Sequence, residues 1–77
     1  MNGPMTPHQY QSIKRELGWT DTRVSHVIGK DVSTVYRWLR EPQLPREFAV
    51  LMRTFSKLRW KMSKSKFDEF MSEIIGE

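Results

Sequence analysis

Apolar residues recur at every third or fourth position through most of this chain, the spacing that places side chains on one face of an α-helix. Five such stripes follow one another, and no alternation typical of a β-strand interrupts them. The stripes comprise Tyr10, Ile13 and Leu17; Val24, Val27 and Ile28; Val35, Trp38 and Leu39; Phe48, Leu51, Met52, Phe55 and Leu58; and Phe67, Phe70, Met71, Ile74 and Ile75. We therefore predict an all-α fold, a compact bundle of about five helices.

Residues with strong capping preferences set the expected ends of these helices. Thr6 favours a first helix that ends near Leu17, because Gly18 can adopt the left-handed conformation that stops it. Gly29 permits a sharp turn after the second helix. The remaining predicted helices are residues 21–28 after the cap Thr20, residues 32–40 after the cap Asp31, one from near Pro45, and one after Ser63 or Ser65.

The length of 77 residues leaves room for one small core. We expect residues 1–5 to form a flexible N-terminus, residues 6–60 a folded domain, and residues 61–77 a C-terminal helix. The apolar stripe of that last helix either covers the core or contacts a second copy of the chain. We favour the dimer contact, through Phe67, Phe70, Met71, Ile74 and Ile75, because four helices can already close a core at Phe55.

Charge and composition narrow the classes of function. The net charge of +4 favours a polyanionic partner. The lack of cysteine excludes disulfides and thiolate metal sites, and no apolar run is long enough to span a membrane. Residues 1–5 are too short and too polar for a signal peptide, so we expect a cytoplasmic protein. His8 and His26 lack companion ligands or catalytic partners, so we predict no enzyme, catalytic residue, metal or cofactor.

The segment from Trp19 to Arg40 combines two short capped helices with a glycine turn. It resembles the helix-turn-helix of the Cro and lambda-repressor (Xre-like) family of DNA-binding proteins. The segment aligns without a gap to the family pattern Leu-Thr-Gln-x-Glu-Leu-Ala, Leu-Gly-Val-Ser and Thr-Val-x-x-Trp, and the matching residues are Thr20, Val24, Gly29, Thr34, Val35 and Trp38. The chain departs from the pattern where Asp21 replaces Gln, Arg23 replaces Glu, Ser25 replaces Ala, and Lys30-Asp31 replaces Val-Ser.

The resemblance implies a lambda-repressor-like fold with residues 32–40 in the major groove of DNA and the preceding helix across the backbone. It implies base contacts from Val32, Ser33, Tyr36 and Arg37, and phosphate contacts from Thr20, Thr22, Lys30, Thr34 and Arg40. Arg37 is the strongest expectation among them, because its guanidinium can donate to guanine O6 and N7 together. Val32 is expected to touch a thymine methyl group.

The C-terminal third of the chain is divided in charge. Six cations and no acid lie between Arg53 and Lys66, and four acids and no cation follow. Lys57, Arg59 or Lys61 could contact phosphates beside the main site, or simply form the solvated face of a helix.

These observations predict a sequence-specific regulator of transcription that binds double-stranded DNA. The expected form is a dimeric repressor, of bacteriophage or bacterial type, that blocks a promoter by occupying a roughly palindromic operator. RNA polymerase or another protein is a further candidate partner. Two alternatives remain: an adaptor or antirepressor that captures a protein through its C-terminal apolar helix, or an architectural DNA-binding protein of the phage excision type.

Overall fold

A computed structural model describes residues 4–76, and in this range the chain forms five α-helices and no β-strand. In chain order they are α1 (Pro7–Leu17), α2 (Asp21–Ile28), α3 (Val32–Trp38), α4 (Arg46–Lys61) and α5 (Lys64–Ile75). The Cα radius of gyration is 12.2 Å, close to the value of about 11–12 Å for a compact chain of this length. The predicted all-α bundle is confirmed.

The caps predicted from the sequence form as expected at most helix ends. The Thr6 hydroxyl accepts a hydrogen bond from the Gln9 amide, and the Gln9 side chain accepts one from the Thr6 amide, which completes a capping box. Gly18 and Gly29 have φ angles of 72° and 71°, so each ends its helix in the left-handed region. Of the two serines proposed for α5, Ser63 is the cap.

One helix boundary differs from the prediction, at the segment that joins α3 to α4. α3 ends at Trp38, two residues before Arg40, because the chain tightens there into three-residue turns. The Arg40 amide donates to the Arg37 carbonyl at 3.2 Å, and the Glu41 amide donates to the Trp38 carbonyl at 3.0 Å. α4 begins at Arg46, with Pro45 in the cap position.

The core contains residues from all five helices, from the segment before α1 and from the segment between α3 and α4. Its buried residues are Met5, Tyr10, Leu17, Val24, Val35, Leu44, Phe48, Ala49, Met52, Phe67 and Met71. Two half-buried tryptophans complete it, and Trp38 belongs to the predicted apolar stripe of α3. The ring of Trp38 lies 4.9 Å from that of Phe48, and the ring of Trp19 lies 5.5 Å from that of Phe55 (centroid distances).

Met5, before the first helix, is more ordered than we predicted. Met5 is 1% exposed, and its carbonyl accepts a hydrogen bond of 2.9 Å from the amide of Leu44, which is itself buried. The expectation of a flexible segment over residues 1–5 is therefore wrong at Met5. Of the other residues in that expectation, 1–3 lie outside the described residues, and Pro4 is exposed.

The C-terminal helix belongs to the same core rather than standing apart from it. Phe67 is 0% exposed and Met71 1%, and the Phe67 ring stacks on Trp19 at a centroid distance of 6.0 Å. A dimer contact through Phe67 and Met71 is therefore wrong, because α5 uses both to close the space beside Trp19. Phe70 and Ile75 are half-buried, and Ile74 is exposed.

Candidate nucleic-acid interface

α2 and α3 pack together across a short turn at residues 29–31. Val24 on α2 and Val35 on α3 are both fully buried and anchor the two helices in the core. The Lys30 amide donates to the Ser25 carbonyl at 2.9 Å, which closes the end of α2. Ser25 is also buried, and its hydroxyl donates to the Thr22 carbonyl at 2.7 Å, so this position accepts a small polar residue without an unsatisfied donor.

The outward side of α3 and of the turn after it is polar and exposed. Ser33, Tyr36, Arg37 and Arg40 are exposed, with Tyr36 at 47%, whereas Val32 is half-buried. Ser33 and Arg37 lie four residues apart on α3, which places them on one face of the helix, and Arg40 follows in the turn after it. Three of the four predicted base-contact residues are thus exposed, and Val32 presents only part of its surface.

Arg37 and Arg40 are the charges of this face. No acidic residue occurs between Val32 and Arg40. Neither arginine forms an ion pair with a described residue. Their guanidinium groups can therefore donate to an external acceptor without first breaking an internal salt bridge.

Asp31 and Ser33 are linked at the start of α3. Asp31 Oδ1 accepts hydrogen bonds of 2.9 Å from both the amide and the hydroxyl of Ser33. These two bonds, from the backbone first and the side chain second, lower the pKa of the Asp31 carboxyl. The carboxylate stays ionised and caps the helix, while the Ser33 hydroxyl oxygen keeps its lone pairs for an outside donor.

The predicted phosphate-contact residues lie on α2 and α3 and in the segments next to these helices. Thr20 is exposed and caps α2, where its hydroxyl accepts from the Arg23 amide at 3.1 Å. Thr22, Lys30 and Arg40 are exposed, and Thr34 is half-buried. On α4, Lys57 and Lys61 are exposed, but Arg59 is half-buried and donates to the Met62 carbonyl at 3.3 Å.

A polar network that we did not predict fixes α2 to α1. The buried Tyr10 hydroxyl donates to Asp21 Oδ1 at 2.7 Å, and Lys14 Nζ donates to the same oxygen at 3.0 Å. Lys14 Nζ also lies 5.6 Å from the centre of the Tyr10 ring. Tyr10 and Lys14 are one helical turn apart, but their separation from Asp21 in sequence gives no local signal for the contact.

The network shifts the pKa values of its two acids in opposite directions. Burial, followed by the hydrogen bond and the charge of Asp21, raises the pKa of Tyr10 far above its ordinary value. Partial burial acts to raise the pKa of Asp21, but the hydrogen bonds from Tyr10 and Lys14 and the Lys14 charge outweigh it and lower that pKa. Asp21 is therefore a structural carboxylate that orients the start of α2.

Comparison with protein-family models, curated proteins and solved structures gave no match. Within residues 4–76, no group of three or more His, Cys, Asp and Glu side chains is arranged to hold a metal ion. In the same range, none of the helices has the length and apolar character needed to cross a bilayer.

Proposed function

We propose that this protein binds double-stranded DNA in a sequence-specific manner, with α2, the turn at residues 29–31 and α3 acting as a helix-turn-helix. α3 enters the major groove and α2 crosses the backbone. The observation that carries the proposal is the outward face of α3 and of the turn after it, where Arg37 and Arg40 are exposed and form no ion pair with a described residue. Its polar side chains sit on a short helix whose other side is fixed in the core.

The roles of the individual residues follow from their chemistry. Arg37 donates to the O6 and N7 acceptors of a guanine, and Tyr36 contacts a neighbouring base. Because the Ser33 hydroxyl donates to Asp31, Ser33 accepts from a base donor such as adenine N6 or cytosine N4. Val32, with part of its side chain exposed, contacts a thymine methyl group.

Backbone contacts hold the helix in register in the proposed complex. Lys30 and Arg40 supply positive charge to phosphates, and the hydroxyls of Thr20, Thr22 and Thr34 add hydrogen bonds. Such contacts contribute affinity that is independent of sequence and decreases as salt rises.

In the proposed biological role, two copies occupy a roughly palindromic operator and block a promoter sterically. Two-fold pairing of the protein matches two half-sites about one helical turn apart and raises the affinity of each site through the other. The adaptor alternative has less surface than the sequence suggested, because Phe67 and Met71 are buried and leave Phe70, Ile74 and Ile75 for a partner.

Fluorescence polarisation with a pool of labelled duplexes tests the proposal, at two salt concentrations and with excess nonspecific competitor DNA. A subset of duplexes should bind selectively and resist the competitor. Weak binding that disappears equally for every duplex as salt rises would contradict it, because only counterion release would then drive the association.

A further inference from the structure

α4 presents an unpartnered face to solvent. Glu47, Val50, Thr54, Lys57 and Lys61 are all exposed and follow one another at spacings of three and four residues, so they form one continuous stripe. Val50 is 51% exposed and Leu51, on its flank, 40%, although both are large apolar residues. Leu58 extends the same flank one turn before Lys61 and is half-buried. We call these seven residues the outer face of α4.

The charges of the outer face are complementary to themselves in an antiparallel arrangement. Glu47, the only acid of α4, lies seven residues before Thr54, and Lys61 lies seven residues after it. A two-fold axis at Thr54 would therefore place Glu47 of each copy opposite Lys61 of the other. Neither residue forms an ion pair with a described residue of its own chain.

The apolar residues obey the same symmetry. In this register Val50 and Leu51 lie opposite Leu58 and the aliphatic stem of Lys57 from the other copy, whose ammonium group can still reach solvent. A cleft of about 140 Å³, lined in part by Lys30, Trp38 and Phe48, lies beside Leu51, so this flank of α4 is not fully covered by its own chain.

The centre of the stripe suits close contact between helices. Thr54 is a small residue, and its hydroxyl already donates to the Val50 carbonyl of its own helix at 2.8 Å. Burying Thr54 at a helix crossing would therefore leave no hydroxyl proton unsatisfied.

We propose that the outer face of α4 binds a second copy of this chain, with the two α4 helices antiparallel and Thr54 at the two-fold axis. The contact replaces the C-terminal stripe as the dimer interface. One helix pair covers less than the ~800 Å² per partner of a standard interface, so the dimer dissociates on dilution. Ser33 and Arg37 of α3, and Arg40 in the turn after it, do not belong to the outer face of α4.

The pairing stands on α4 alone, and only its use on an operator rests on the proposed DNA-binding function. Exchanging the charges of Glu47 and Lys61 tests the pairing. Association is measured by sedimentation at increasing protein concentration without DNA. Glu47→Lys and Lys61→Glu should each weaken association by about tenfold, because two opposite-charge contacts become repulsive in the symmetric dimer. The double variant E47K/K61E should restore association.

This restoration cannot come from better folding of the monomer. Lys at position 47 and Glu at position 61 both oppose the dipole of α4, so the double variant has the least favourable helix. Unchanged association in both single variants, or no recovery in the double variant, would overturn the proposal. So would a native protein that remains monomeric at every concentration.

Cross-linking tests the register, since the chain has no cysteine of its own. Thr54→Cys should form a disulfide-linked dimer under mild oxidation, because the two sulfurs meet at the axis. Ser12→Cys is a matched control: Ser12 is also exposed on a helix, and its hydroxyl also donates to the carbonyl four residues earlier. Equal cross-linking of the two variants would overturn the register.

The two proposals can fail separately. If the experiments find no α4 contact but the protein still binds DNA selectively, only the pairing is rejected. A dimer that forms as described but binds every duplex equally would reject only the DNA-binding function.

Discussion

α3 and α5 are both amphipathic in sequence, but the fold uses them in opposite ways. α5 places Phe67 and Met71 in the core, so these two residues of its apolar stripe are unavailable to a partner. In α3, Val35 is the one fully buried residue, and the polar side with Ser33 and Arg37 faces solvent. An apolar stripe on a helix therefore does not by itself identify a binding interface. An exposed polar face can serve as a binding interface when the opposite face of the same helix is packed in the core.

Because α3 is short, its buried residues hold its conformation and its exposed residues contribute little to it. A helix of seven residues is unstable alone in water, so its conformation depends on the Asp31 cap, on buried Val35 and on the contact of Trp38 with Phe48. None of these residues belongs to the outward face. Changes on that face should therefore alter binding without altering the free energy of unfolding.

The largest expected change in stability comes from the buried side of α5, and its exposed side should contribute little. Phe67→Ala should lower the free energy of unfolding by about 3–5 kcal/mol, because it removes a fully buried ring beside Trp19. Ile74→Ala on the same helix should cost much less, since Ile74 is 59% exposed. Urea unfolding followed by circular dichroism measures both, and similar costs would show that α5 does not close the core.

Arg37→Ala tests the exposed face of α3. We expect a loss of about 1–3 kcal/mol of discrimination between the preferred duplex and the same duplex changed at one guanine. The urea midpoint should stay at the native value, because Arg37 is exposed and has no ion pair with a described residue. A lower midpoint with discrimination retained would make Arg37 a structural residue.

The sequence predicts the local features of this fold well and its long-range features poorly. Caps such as Thr6, Thr20 and Asp31 act within one helical turn, so their positions could be read directly from the chain. The end of α3 was misplaced by two residues because Leu39 and Arg40 continue the periodicity while the backbone tightens.

Whether an apolar stripe is buried depends on contacts between distant parts of the chain, unlike a helix cap. The spacing of Phe67 and Met71 is equally suitable for a core and for a dimer contact, and only the space left beside Trp19 decides between them. Leu44 lies in an irregular segment without periodicity, so its burial against Met5 gave no sequence signal. For the candidate interface, the polar face of α3 was predictable, but the donation from Ser33 to Asp31 was not.

Asp21 sets the position of α2 relative to α1, and its removal should have an effect of intermediate size. Asp21→Ala should lower the free energy of unfolding by about 1–3 kcal/mol at neutral pH, because the buried Tyr10 hydroxyl and Lys14 lose their acceptor. Asp68→Ala is the matched control, since its ion pair with Lys64 is exposed. An equal effect of the two substitutions would contradict a structural role for Asp21.

The effect of Asp21 should also depend on pH. The folded protein lowers the pKa of Asp21 from its ordinary 3.8, so the carboxylate contributes stability above that value. This contribution is lost as pH falls below 3.8 through the folded pKa. The difference between native protein and Asp21→Ala should therefore narrow in acid, and urea unfolding at neutral pH and near pH 3 measures it. A constant difference would argue against the charged contact.

The smallest expected effect concerns the backbone contacts. Arg40→Ala should weaken binding to all duplexes by a similar factor and reduce the slope of log affinity against log salt by about one. Arg15→Ala removes an exposed cation from α1 instead and should leave the slope unchanged. A slope that is the same for both variants would place Arg40 away from the phosphates.

We propose above all that the outward face of α3 reads a DNA sequence. The most direct test of this proposal is selection from a pool of randomised duplexes, carried out in parallel with the native protein and with Arg37→Ala. The native protein should enrich a motif that contains a guanine, and Arg37→Ala should lose the preference at that position while keeping the others. No enriched motif, or the same motif with both proteins, would contradict the account.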